Sequence, residues 1–116
     1  MEKLIINGGR RLKGEIKVEG SKNAVLPVLS AAILNSGINV IKNCPNLKDV
    51  ELVLTILARI GCKIKMEDES TVIVDSSNVF TTEIPEDLAR EMRSSIIFLG
   101  PLLARFGKTT ISYPGG

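Results

Sequence analysis

"NLKDVELVLTILARIGCKIKMEDESTVIVD", Asn46 to Asp75, changes its hydrophobic period partway along. Leu47, Val50, Leu54, Leu57 and Ile60 recur at intervals of three and four, while Lys48, Asp49, Glu51, Thr55 and Arg59 face elsewhere. That spacing predicts an amphipathic helix, with Asn46 as its cap and Gly61 in the left-handed conformation after its end. The period then drops to two. "CKIKM" and "TVIVD" alternate on either side of Glu67-Asp68-Glu69-Ser70, which predicts a hairpin with a solvated acidic tip. A helix feeding a hairpin gives helices layered on a sheet, an α/β fold (α+β in some schemes).

Toward the amino terminus, Leu4-Ile5-Ile6 before Asn7-Gly8-Gly9 reads as a short strand entering a turn. "LKGEIKVEG" alternates Ile16 and Val18 with Glu15, Lys17 and Glu19, as a half-buried strand would. From Ala24 to Leu34 the chain is apolar nearly all round, which predicts a helix buried on most faces. Proline is tolerated in a first helical turn, so Pro27 sets the start near Asn23, and Asn35-Ser36-Gly37 supplies the stop. Ile38 to Asn43, "INVIKN", reads as a buried strand.

Toward the carboxyl terminus a third helix opens at Pro85, with Glu86 and Asp87 in its first turn. Its expected buried stripe is Leu88, Met92, Ile96 and Leu99, with a kink or interruption at Pro101 and an end at Gly107. "TTISY" reads as a last strand and "YPGG" as a turn. The expected order is β, β, α, β, α, β, β, α, β.

Fifteen basic and thirteen acidic residues leave a net charge of +2, and aromatics make up 3% of the chain. That is no electrostatic footprint for nucleic acid, and it offers little for base stacking. No apolar run has the length of a membrane span and "MEKLIINGG" lacks signal-peptide order, so a cytoplasmic protein with no membrane partner is expected. Cys44 and Cys62 have no metal-ligand spacing and read as buried free thiols. Histidine is absent, so chemistry must rest on Lys, Arg, Asp, Glu or Cys, with no metal or cofactor expected.

Lys22 and Asn23 stand at the mouth of the first apolar helix. Unpaired N–H groups and the positive dipole end favour a phosphate or carboxylate there, and a lysine adds a full charge. Ordinary capping by Ser21 or Asn23, with Lys22 solvated, explains the same residues. Arg93, in "REMRSSIIFLG", is the last charge before an uncharged stretch and is suited to a bidentate grip on a phosphate. An ion pair with Glu91 or Asp87 is the plainer alternative, and Arg90 and Arg105 compete for the role. "NGGRRLKG" matches no phosphate-binding loop and is a turn.

Together, "GSKNAVLPVLSAAIL", "CPNLKDVELVLTILARIGCKI" and "REMRSSIIFLGPLLARFGKTTISYPGG" resemble the opening part of the UDP-N-acetylglucosamine 1-carboxyvinyltransferase family, the UDP-N-acetylglucosamine enolpyruvyl transferases. The resemblance runs from Leu4 to Gly116. It implies βαβαββ units forming part of an inside-out α/β barrel, with substrates between two domains. Residues 1–21 would then be strands of the second domain, and residues 22–116 an incomplete first substrate domain. It implies transfer of the enolpyruvyl group of phosphoenolpyruvate to the sugar's 3′-hydroxyl, opening peptidoglycan synthesis. Lys22 and Asn23 match the family's donor and sugar-nucleotide pair, and Arg93 its UDP-sugar-contacting arginine. The related enolpyruvylshikimate-phosphate synthases typically carry Lys-Ser where this chain has Lys22-Asn23. The family's acid is a cysteine just after Pro-Gly-Gly, expected next to Gly116, and Cys44 and Cys62 do not align with it. The 116 residues alone are therefore expected to be inactive and to take no fosfomycin adduct, with the remainder of the enzyme chain as a partner; a non-catalytic anion- or nucleotide-binding module, or a transferase of the enolpyruvylshikimate-phosphate synthase type, is the alternative.

Overall fold

A computed structural model describes residues 2–18, 20–91 and 93–111, with the backbone alone at 93 and 94. Helix α1 (Lys22–Ala31) runs into a 3-10 turn (Ala32–Leu34), followed by strand β1 (Ile38–Ile41) and helix α2 (Lys48–Arg59). Strands β2 (Lys63–Met66) and β3 (Val72–Asp75) form the expected hairpin. Helix α3 (Glu86–Glu91), a 3-10 segment (Arg93–Phe98) and helix α4 (Leu99–Phe106) complete the order.

The sheet order is β1-β3-β2, with β3 antiparallel to both neighbours. β1 and β2 therefore run the same way, joined across β3 by α2, an α/β crossover. Opposed residues in an antiparallel pair share a face. Ile41, Val72, Val74 and Ile64 thus meet the helical layer, while Ile38, Val40, Ile73, Lys63 and Lys65 turn outward. Leu29 and Ile33 from the first helical unit join Val53, Ile56, Leu57 and Ile60 of α2, and Phe98 and Leu102, in one core. No described helix is long and apolar enough to cross a membrane.

Several expectations need correction. Residues 2–18 form no strand: Leu4, Ile5, Ile6, Leu12, Ile16 and Val18 are all at least 80% exposed. Alternation creates an apolar face, but a strand persists only where another strand takes its N–H and C=O groups, and none of β1 to β3 does so. Helix α1 is open along Ala24, Pro27, Val28 and Ala31 rather than buried on most faces. It begins at Lys22, which puts Pro27 in the second turn. Ser21 occupies the cap position without a side-chain bond, and α2 is preceded by Leu47, not Asn46, again without one.

The third helix is broken before Pro101, which falls in the first turn of α4, where its missing N–H costs little. Ile96 is half exposed, and Ala89, Ser95, Phe98 and Leu102 take up burial that the stripe assigned to Ile96 and Leu99. Gly61 (φ 119°) and Gly107 (φ 78°) end their helices as expected. Of the last strand, Thr110 makes a single parallel bridge to Glu83; residues 112–116 lie outside the described part, as does Met92.

Candidate functional site

Helices α1 and α2 pack together, and their starts lie side by side. Lys22 is the first residue of α1 and Asp49 the second of α2; the Lys22 ammonium meets the Asp49 carboxylate at 3.1 Å. The two side chains remain 47% and 34% exposed, so the pair is worth about 0–1 kcal/mol. The α1 first turn holds no acid of its own, and Lys22 there opposes the helix dipole. Asp49 suits both helices: it sits in the first turn of α2 and neutralises the lysine of α1.

Lys22 is thus neither simply solvated nor unpaired. Its partner is a weakly held, solvent-accessible carboxylate, the kind of group a more strongly charged anion displaces. Asn23 follows on the exposed side of the same turn. Pro27 has no N–H to offer the Asn23 carbonyl, so that carbonyl lacks its usual intrahelical donor. Asp49 is the partner of Lys22 that spacing along the sequence does not single out. Its signal was there: an acid in one helix's first turn and a lysine in another's, each short of an opposite charge.

Arg93 lies on the backbone of the 3-10 segment, and its side chain is outside the described part. Its proposed partners are engaged elsewhere in one case: Asp87 stands 3.9 Å from Arg59. Arg90 pairs with Glu86 within α3. Arg105 is committed to structure, donating from Nη1 to the carbonyls of Ile33 (2.9 Å) and Ser76 (2.8 Å). Both competing arginines therefore have partners of their own within the fold.

A cleft of about 950 Å³ opens beside the turn from Asn43 to Asn46, between Gly20 and the hairpin residues Asp68 to Ser70. Lys22 and Asn23 do not line it. Glu51, Asp68 and Glu69 face Lys17 there, an acidic balance that repels a phosphate. Cys44 lines it but is buried, and burial raises its thiol pKa. Burial pushes Cys62 up to about 11, more than the nearby Arg105 charge lowers it. Neither thiol is built as an acid or nucleophile for use near neutral pH.

A profile of the family described as "EPSP synthase (3-phosphoshikimate 1-carboxyvinyltransferase)" matches residues 6–116. The chain is 52% identical over all 116 residues to UDP-N-acetylglucosamine 1-carboxyvinyltransferase 2 of Caldanaerobacter subterraneus subsp. tengcongensis. It is 50% identical over the same length to the UDP-N-acetylglucosamine 1-carboxyvinyltransferase of Dichelobacter nodosus. In both cases the chain spans 28% of the relative's length. Its fold resembles the crystal structure of the enolpyruvyl transferase NikO from Streptomyces tendae, with TM-score 0.71 and 29% identity. That likeness covers 86% of this chain and 23% of NikO. A profile match over nearly every residue, together with a shared fold, places the chain in the EPSP synthase (3-phosphoshikimate 1-carboxyvinyltransferase) family.

Proposed function

We propose that this chain is the amino-terminal part of an enzyme that moves the enolpyruvyl group from phosphoenolpyruvate to the 3′-hydroxyl of UDP-N-acetylglucosamine, releasing phosphate. The observation carrying this reading is 42–52% identity along the chain to several proteins bearing that activity in their names. Lys22, with Asn23 beside it, neutralises and orients the donor phosphate at the start of α1, and Arg93 contacts the UDP-sugar. The chemistry asks for this: adding a hydroxyl to C2 of the donor while a proton reaches its methylene carbon requires a dense anion held still. The resulting tetrahedral intermediate then loses phosphate from C2 and a proton from its new methyl group, which restores the carbon–carbon double bond.

The proton comes from a cysteine beyond Gly116, and not from Cys44 or Cys62, whose burial and raised pKa argue against that role. Residues 1–21 pair as strands with a second domain of the same polypeptide. The exposed apolar side chains of Leu4, Ile5, Ile6, Leu12, Ile16 and Val18 support that assignment. The enzyme works in the cytoplasm, at the first committed step of peptidoglycan synthesis, and so serves cell shape and division.

Phosphate release from phosphoenolpyruvate, measured with UDP-N-acetylglucosamine and separately with shikimate 3-phosphate, tests the reading on the full-length polypeptide. Turnover with the sugar nucleotide alone is expected; turnover only with shikimate 3-phosphate would overturn it. The 116-residue chain alone is expected to release no phosphate.

A further inference from the structure

Taking the start of α1 as the phosphate end of the site, as proposed above, we infer that Asp49 is a built-in counterion that occupies this end until the phosphorylated donor displaces it, and so sets donor affinity. Two helix starts lie side by side here, each presenting N–H groups and the positive end of a dipole. The α1 start has no acid of its own, and Asp49, 3.1 Å from the Lys22 ammonium, supplies the missing negative charge from α2.

Displacement is physically easy. Lys22 is about half exposed and Asp49 about a third, so water screens the pair and little holds it together. A phosphate carries up to twice the charge of a carboxylate and more acceptor oxygens for the lysine and the adjacent N–H groups. Once released, the Asp49 carboxylate keeps a favourable position in the first turn of its own helix. If Asp49 instead stayed in place to orient Lys22, removing its charge would weaken donor binding. The two possibilities predict opposite signs.

Inorganic phosphate and phosphoenolpyruvate are titrated separately into the full-length polypeptide while the amide resonances of Lys22 and Asn23 are followed by NMR. The wild-type protein is compared with Asp49→Asn, Asp49→Glu and Lys22→Ala. Asp49→Asn is expected to bind both anions roughly two- to five-fold more tightly, the range an exposed ion pair can withhold. Asp49→Glu, which keeps the charge, should bind like the wild type. The gap between Asp49→Asn and wild type should shrink as added salt screens the pair, a response that a purely structural role of Asp49 would not give. Equal or weaker binding by Asp49→Asn, with Lys22→Ala still impaired, overturns the counterion role and leaves the site assignment standing. Wild-type affinity in Lys22→Ala, or no shift at Lys22 and Asn23 in any variant, overturns the site assignment and this inference with it.

Discussion

A methyl group added at Gly20 would stand 1.9 Å from the Asn43 carbonyl oxygen and 3.2 Å from Pro45 Cδ. The chain entering α1 is thus pressed against the turn leaving β1, whose Asn43 is itself left-handed (φ 58°). Gly61 is constrained twice over, by φ 119° and by the Asn78 carbonyl oxygen 2.5 Å from where its Cβ would lie. Gly61→Ala should cost about 1–3 kcal/mol from backbone conformation alone, read as a lowered urea midpoint. The thiols belong to the same neighbourhood of close packing. With Cys62 raised to about 11 and Cys44 also raised, both by burial, the folded protein should resist iodoacetamide near neutral pH. In denaturant both should react fully, as mass spectrometry can count. The raised Cys62 value also fixes a sign: its contribution to stability is complete below the unfolded value of 9.0 and is lost as pH climbs toward about 11.

How the elements are joined shows in the 3-10 turn that follows α1. The last carbonyls of a helical segment need outside donors, and here α4 and the residue after β3 provide them. The Ser76 hydroxyl, fully buried, donates to Ala32 O at 2.9 Å, and Arg105 bridges Ile33 O to Ser76 O while stacking over Phe106 at 4.7 Å. Arg105→Ala would leave two partly buried carbonyls unpaired and should cost about 2–3 kcal/mol in chemical denaturation. Lysine should recover only part of the loss, because one ammonium on a flexible stem does not reproduce the planar fork. Leu29→Ala, at a fully buried contact of α1 with the core, should cost about 2–5 kcal/mol. Lys22→Ala should barely change stability, since it removes only an exposed pair.

Seen entire, the molecule divides into a packed body and an exposed amino-terminal arm. Limited trypsin digestion should cut the arm at Arg10, Arg11, Lys13 or Lys17 and leave a resistant body, with little change in melting temperature, because the arm's apolar side chains are not packed. Acid should loosen the body as well. Backbone and hydroxyl hydrogen bonds from Ser70 and Thr71 lower the Asp68 pKa, and those from Ser77 lower that of Asp75. Carboxyls lowered in the folded state contribute stability above their ordinary value of 3.8, and that contribution disappears as pH falls below it. The urea midpoint should drop at about pH 3, and less so in the Asp68→Asn, Asp75→Asn double variant.

Local patterning carried α2, the β2–β3 hairpin and the two helix-ending glycines, because each follows from contacts a few residues apart; it placed β1 too, but not as the buried strand expected over Ile38–Asn43, since β1 (Ile38–Ile41) lies at the sheet edge with Ile38 and Val40 exposed. The α/β class came with them, and so did the charged mouth of α1. Pairing and neighbourhood were another matter. The apolar run Leu4 to Ile6 and the alternation of Ile16 and Val18 specify strands only when a partner edge is present, and β1 to β3 offer them none. Likewise Lys22 and Asp49 are 27 positions apart in sequence, and only the packing of α1 on α2 brings their charges to 3.1 Å. Local spacing determines which face of an element is apolar; which surfaces and charges meet is decided by the closure of the chain upon itself.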